Sequence, residues 1–171
     1  PAHRALFERL GVRQVESIPE LLDTLAVLDR LGGIPGRRLV SMSCSGGEAS
    51  VVADRAESMD LDFPAFDEGH GARIAGTLSE LVSVSNPLDY HTFIWGDPGR
   101  LRATFTAVMD GPLDAAMLVL DFPSAGLDDS GWWPTLGAVS YTHLRAHETD
   151  SYLVCRLLLE KSVACSVRLG V

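Results

Sequence analysis

The chain has 171 residues, 46% of them hydrophobic, with a formal net charge of -9 and a pI near 4.9. That length and apolar content fill one ordinary core and exclude two sizeable domains, while the acidic balance excludes a broad basic face for nucleic acid or anionic lipid. No run reaches the roughly 18 apolar residues of a membrane-spanning helix, and the start Pro1-Ala2-His3-Arg4 has no signal pattern. The three cysteines, Cys44, Cys155 and Cys165, match neither zinc nor disulfide spacing. The expectation is a fragment of a cytoplasmic protein from a reducing compartment.

Residues 2–10 read as a helix with Leu6, Phe7 and Leu10 on one face, ended by Gly11. A short strand is expected over residues 12–15. Ser17-Ile18-Pro19-Glu20 forms a capping box, in which the Ser hydroxyl and the Glu carboxylate satisfy amides left open at a helix start. The helix it opens carries Leu21, Leu25 and Leu28 as its apolar stripe and stops at Gly32-Gly33. After a Pro35-Gly36 turn, residues 38–43 have the length and content of a buried parallel strand, and residues 46–59 read as the helix after it.

Residues 67–82 place Ile74, Leu78, Leu81 and Val82 at helical spacing, although Gly69, Gly71 and Gly76 weaken the first half. His70, between two of those glycines, reads as exposed loop. Asn86-Pro87-Leu88-Asp89 breaks the pattern as a loop, residues 98–109 form a helix with Asp97 as N-cap, and residues 114–122 are the clearest central strand. Trp132 and Trp133 are expected to cap the core. Strands alternating with helices predict a three-layer α/β domain with a mostly parallel sheet, whose ligands sit outside the carboxyl ends of its strands.

Composition changes near Val139. Residues 1–138 hold ten Arg and no Lys against twenty acidic residues, a net of -10, and the remainder nets +1. Residues 140–149 with 153–161 resemble the translation of sequencing-adapter read-through, so 139–171 are expected to be a non-native tail. His143 and His147 stand four apart, but Leu144 follows His143 and no zincin pattern results.

Two strand ends carry the functional argument. Ser43-Cys44-Ser45-Gly46-Gly47-Glu48-Ala49 leaves a strand and opens a helix. A helix start offers unpaired amides and about half a positive charge, and glycine lets a phosphate approach them. Ser45, Gly46, Gly47 and Glu48 are therefore the candidate phosphate-binding residues, with the bland tight turn as the alternative. Neither a Walker loop nor a dinucleotide fingerprint is present. At the second end, Asn86 and Asp89 either bond their own loop backbone or contact a ligand, and His91, with Tyr90, Phe93 and Trp95, lines an acyl pocket or joins the core. Cys44 reads as a small buried residue. Small-x-Ser-x-Gly at residues 43–47 also has the form of a nucleophile elbow, which makes a serine hydrolase at Ser45 the alternative function, with Asp121 and a downstream His as partners. A third alternative is a non-catalytic flavodoxin-like binding module.

The run Arg37 to Ala49, with Ala53-Asp54 one helical turn on and Asn86-Pro87-Leu88-Asp89 at the expected distance, resembles the ligase domain of the NDP-forming acyl-CoA synthetases, a succinyl-CoA-synthetase-like family. The upstream Leu10-Gly11-Val12 and Glu20-Leu21-Leu22-Asp23 are similar to the segment before that domain. The resemblance implies a flavodoxin-like fold over 36–138, incomplete at its C-terminus, preceded over 1–35 by helices leading from a missing upstream domain. It implies a ligase that joins a carboxylate to CoA with ATP through a phosphohistidine relay. Gly46 and Gly47 would belong to one of the helix starts that steady the phosphoryl group. The phosphorylated His would lie in a Ser-His-Thr-Gly-like motif outside this chain, and His3 is not that residue. CoA-binding, phosphohistidine and ATP-grasp domains are the implied partners. ATP, Mg and CoA serve the full-length enzyme, with none expected on this piece.

Overall fold

The computed structural model describes residues 2–31, 34, 36–121, 134, 137–138, 144–147 and 154–159. Helices α1 (Ala2–Arg9) and α2 (Ile18–Leu31) precede strand β1 (Leu39–Ser43) and helix α3 (Gly46–Ala56). Then come α4 (Glu68–Ala75), the two-residue strand β2 (Leu88–Asp89), a 3-10 turn at Thr92–Ile94, α5 (Pro98–Met109) and β3 (Ala115–Asp121). Strands β4 (Leu144–His147) and β5 (Val154–Leu159) complete the sheet, in the order β2-β1-β3-β5-β4. The pairs β2·β1 and β1·β3 are parallel; β3·β5 and β5·β4 are antiparallel. The expected flavodoxin-like α/β fold is found in the parallel part.

Strand alternation sorts the core into two faces. Ala116, Leu118 and Leu120 of β3 join Val40 and Met42 of β1 against Ile74, Leu101, Phe105 and Val108 of α4 and α5. The intervening Met117 and Val119 meet Val52 of α3 on the other side, with Phe63 beside them. Helix, sheet and helix pair are the three layers. They fix α3 directly behind β1, with its first turn at the carboxyl end of that strand.

Local chemistry sets most boundaries. Gly11 takes φ 69 after α1, and Asp97 caps α5 by accepting from the Arg100 amide at 3.0 Å, both as expected. The capping box of α2 is half as drawn: Ser17 Oγ accepts from the Glu20 amide at 3.2 Å, whereas the Glu20 carboxylate reaches the Glu16 amide at 2.7 Å.

Several expectations are corrected. Residues 12–15 form no strand. The stripe of Leu21, Leu25 and Leu28 faces outward, and among the described residues the buried core begins only at Leu39. The helix expected over 67–82 stops at Ala75, because Gly76 ends it and the chain turns through Thr77 and Leu78. Leu88 and Asp89 extend β1's ladder as β2 instead of forming a loop. His70 is buried inside α4, where its Nε2 donates toward the Ala107 and Val108 carbonyls at 2.9 and 3.0 Å, tying α4 to the end of α5. A Cβ at Gly111 would collide with that ring. Trp132, Trp133, Gly32-Gly33, Pro35 and most of the proposed tail lie outside the described residues.

The opposite end of the sheet is held by a two-pronged ion pair. Arg38 Nε and Nη2 donate to the two Asp114 carboxylate oxygens at 3.2 and 3.0 Å, and the Arg38 amide adds a third bond at 2.9 Å. These bonds lower the Asp114 pKa from 3.8 to about 2. A folded-state pKa below the unfolded one gives stability that is present above the unfolded value and lost as pH falls through the folded one. Asp114→Asn is therefore expected to lower the melting temperature at neutral pH. The gap to the wild type should close between about pH 4 and pH 2, as melts across that range will show.

Candidate functional site

Parallel pairing brings the two predicted segments together. Ser43 of β1 is in register with Asp89 of β2, and the Tyr90 amide donates to the Ser43 carbonyl at 2.9 Å, carrying the ladder one step further. The chain leaving β1 enters α3 through Ser45, whose φ of -137° and ψ of 127° are extended. Ser45 makes no side-chain capping bond. Helix geometry leaves the amides of Gly46 and Gly47 pointing out of the first turn without an intrahelical acceptor. The two segments touch at Gly46, where a Cβ would come within 3.2 Å of Asp89 Oδ2. A side chain at Gly46 would press on that carboxylate, whereas a Cβ at Gly47 meets only Ser45 Oγ at 3.5 Å.

Asp89 closes a turn on its own loop by accepting the His91 amide on Oδ1 at 2.9 Å, and its Oδ2 lies 3.4 Å from His91 Nε2. His91 sits at φ 57°, a region that non-glycine residues rarely occupy, and its ring stacks on exposed Phe93 with centroids 5.4 Å apart. Its side chain keeps 43% of its surface accessible against 19% for Asp89. The family resemblance named Asp89 and the glycines as separate motifs and gave no sign that His91 would bond Asp89, since that bond depends on the backbone reversal at His91.

Asn86 does something else. Its Nδ2 donates to the Leu39 carbonyl at 2.8 Å and the Pro64 carbonyl at 3.0 Å, while Oδ1 accepts the Ser41 amide at 3.3 Å. It fastens β1 to the loops on either side and does not fold back on its own turn. The peptide bond to Pro87 is cis.

The aromatic residues separate. Tyr90 is wholly buried edge-on to Phe105, Trp95 packs against the core and Phe93 is exposed. Burial, followed by the neighbouring Cys44, raises the Tyr90 pKa, with Glu48 and Asp89 adding; Trp95 opposes the shift. Cys44 is half-buried at the end of β1. Glu48 is half-buried, with Oε2 turned out of solvent. A cavity of about 190 Å³ lies at the far end of the sheet, beside Arg38, Phe66, His70 and Leu113. Among the described residues no group of three His, Cys, Asp or Glu side chains is placed to hold a metal ion, and no helix is long and apolar enough to cross a membrane. Asp121 ends β3, and its side chain lies outside what the structure describes, as do the downstream histidine side chains of the hydrolase alternative.

No family model matches the chain. A curated trans-feruloyl-CoA synthase from an unknown prokaryotic organism is 25% identical over 123 residues, which cover 70% of this chain and 17% of that protein. Among solved structures, PH0766 from Pyrococcus horikoshii OT3 superposes with a TM-score of 0.66 at 20% identity, over 81% of this chain and 32% of its own. The apo form of a dinucleotide-forming acetyl-coenzyme A synthetase 1 from Ca. Korarchaeum cryptofilum gives 0.66 at 18% identity, over 82% and 30%. Its complex with phosphate and ADP gives 0.64. The chain spans under a fifth of the curated relative and about a third of each solved structure. In sequence the chain is similar to a feruloyl-CoA synthase, and in fold to solved acetyl-coenzyme A synthetase structures.

Proposed function

We propose that this chain is the ligase-type segment of an acyl-CoA synthetase that joins a carboxylate to CoA at the expense of ATP, and that the start of α3 steadies the phosphoryl group in transit. The observation that carries the reading is the meeting of Gly46-Gly47 with Asp89 at the carboxyl end of β1 and β2, where an open sheet of this kind binds its ligand. Two amides with no side chain over them can face an anion there. The chain's own contribution is to hold and orient. The phosphorylated histidine, the CoA-binding domain and the ATP-grasp domain belong to the rest of the enzyme, as do ATP and Mg. Residues 139–171 are read as a non-native tail whose strands β4 and β5 add to the sheet beside β3. The names of the relatives suggest acetate and ferulate as first substrates.

The test is a pair of assays. The full-length protein should form acyl-CoA from a carboxylate, CoA and ATP, and the 171-residue chain alone should form none. Turnover by the isolated chain would overturn the assignment of roles.

The hydrolase alternative draws on one observation. Ser45 makes no side-chain capping bond at the start of α3. The His91 contact with Asp89 runs through Nε2, however, the nitrogen that meets the serine in a Ser-His-Asp relay. Fluorophosphonate labelling of Ser45 would favour the hydrolase.

A further inference from the structure

Helices α1 and α2 are apolar on a face that the domain leaves uncovered. In α2, Ile18, Leu21, Leu25 and Leu28 follow the 3-4-3 spacing of a coiled-coil seam, two heptads in a helix of 14 residues. All four keep between 40% and 71% of their surface accessible, and Leu22 beside the seam keeps 59%. Leu6 in α1 and Leu10 just after it, one turn apart, keep 52% and 65%. Neither helix contributes a residue to the buried core of the described structure. Monomeric surfaces rarely gather so many large apolar side chains, so a stripe of this kind marks a contact.

The charges say what fits it. A net charge of -9 sets two copies of the chain against each other, yet this region is divided by sign. Residues 3–13 hold Arg4, Arg9 and Arg13 against Glu8, and residues 14–29 hold four acids and no base. Within one copy Arg4 and Glu16 approach to 3.9 Å, an exposed pair that contributes little. Asp29 lies on the apolar face of α2 itself, four residues after Leu25, and Arg9 flanks Leu6 and Leu10 on α1. Charges at such flanks select the partner and its direction. A basic helix and an acidic helix, each with an apolar stripe, make the region self-complementary: a two-fold axis sets α1 of each copy on α2 of the other, and every contact is made twice. Antiparallel pairing of the two α2 seams also keeps the Glu16 and Glu20 pairs at opposite ends of the contact.

We propose that the outer face of α1 and α2 is an interface with a second copy of this chain. The two α2 seams pack antiparallel, α1 of each copy closes over α2 of the other, and Arg9 pairs with Asp29 of the partner subunit. This surface is separate from the meeting of β1, β2 and α3, so its failure and the failure of the functional reading are independent. It removes from water the leucines that a single copy leaves there.

The experiment is sedimentation equilibrium of the full 171-residue chain over a micromolar concentration series. A rise that saturates at twice the 18.4 kDa of one chain is expected. Leu21→Glu combined with Leu25→Glu should weaken the association by about 10² or more, because each change enters a two-fold contact twice. Circular dichroism confirms that each variant is folded. Charge exchange is the sharper arm. Arg9→Glu alone and Asp29→Lys alone should each weaken the pairing by roughly tenfold, and an equimolar mixture of the two variants should recover the wild-type affinity, since opposite charges then face each other at both ends. A wild type that stays monomeric across the series would overturn the proposal and assign the stripe to another part of the enzyme. A dimer unchanged by the leucine substitutions in a folded chain, a mass that climbs past two copies without saturating, or charge variants that fail to recover on mixing would overturn it as well.

Discussion

Replacing Gly47 with Val in the full-length enzyme is expected to slow acyl-CoA formation by about 10² to 10³, the usual cost of losing a preorganised donor at a developing charge. Folding should be nearly untouched. Gly47 has no positive φ, and a Cβ there meets nothing nearer than Ser45 Oγ at 3.5 Å, so the helix-propensity change is about 0.5 kcal/mol or less. The added branches stand over the amides that the proposed phosphoryl group must reach. Gly46 is the poorer test, because a side chain there would press on Asp89 as well. The check is kcat beside the melting temperature. An unchanged rate in a stably folded Gly47→Val enzyme would show that this turn is only a turn.

A loss of stability of about 2–4 kcal/mol is expected for Asn86→Ala, read as a shift in the urea midpoint at constant slope. The size follows from what the amide satisfies. Leu39 and Ser41, each 1% exposed, have no water to replace the lost partner for their carbonyl and amide, and the Pro64 carbonyl loses its bond too. Asn86→Asp should be no better, since it sets a carboxylate against the two carbonyls that Nδ2 now serves. A change below about 0.5 kcal/mol, the range of an ordinary surface substitution, would contradict this role.

These two residues also show where sequence reasoning reached and where it stopped. Strand β1, the Gly46-Gly47 start of α3, the capped helix α5 and strand β3 were legible because local rules decide them: a short apolar run, a glycine pair, Asp97 before Pro98, and six apolar residues in a row. The two motifs at the site were legible as separate signals. Their contact was not, since it depends on β2 pairing in parallel with β1, and two residues are too short a strand to leave a period. Asn86 looked like a turn residue because Asn before Pro commonly is one, while its partners are 22, 45 and 47 residues away along the chain. His70 looked exposed between glycines, yet Asp67 caps a helix through it and Phe66 packs edge-on to its ring. The outward stripe of α2 followed the amphipathic rule; a period names a face and leaves open what covers it.

The central claim is that the first amides of α3 receive a phosphoryl group, and amide-resolved NMR of the full chain during a phosphate titration at pH 6 tests it most directly. The account predicts saturable shifts concentrated at Gly46, Gly47 and Glu48, with smaller changes at Asp89 and His91 and none at the Arg38–Asp114 end of the sheet. Shifts confined to any other part of a folded chain, or none at all, would contradict it.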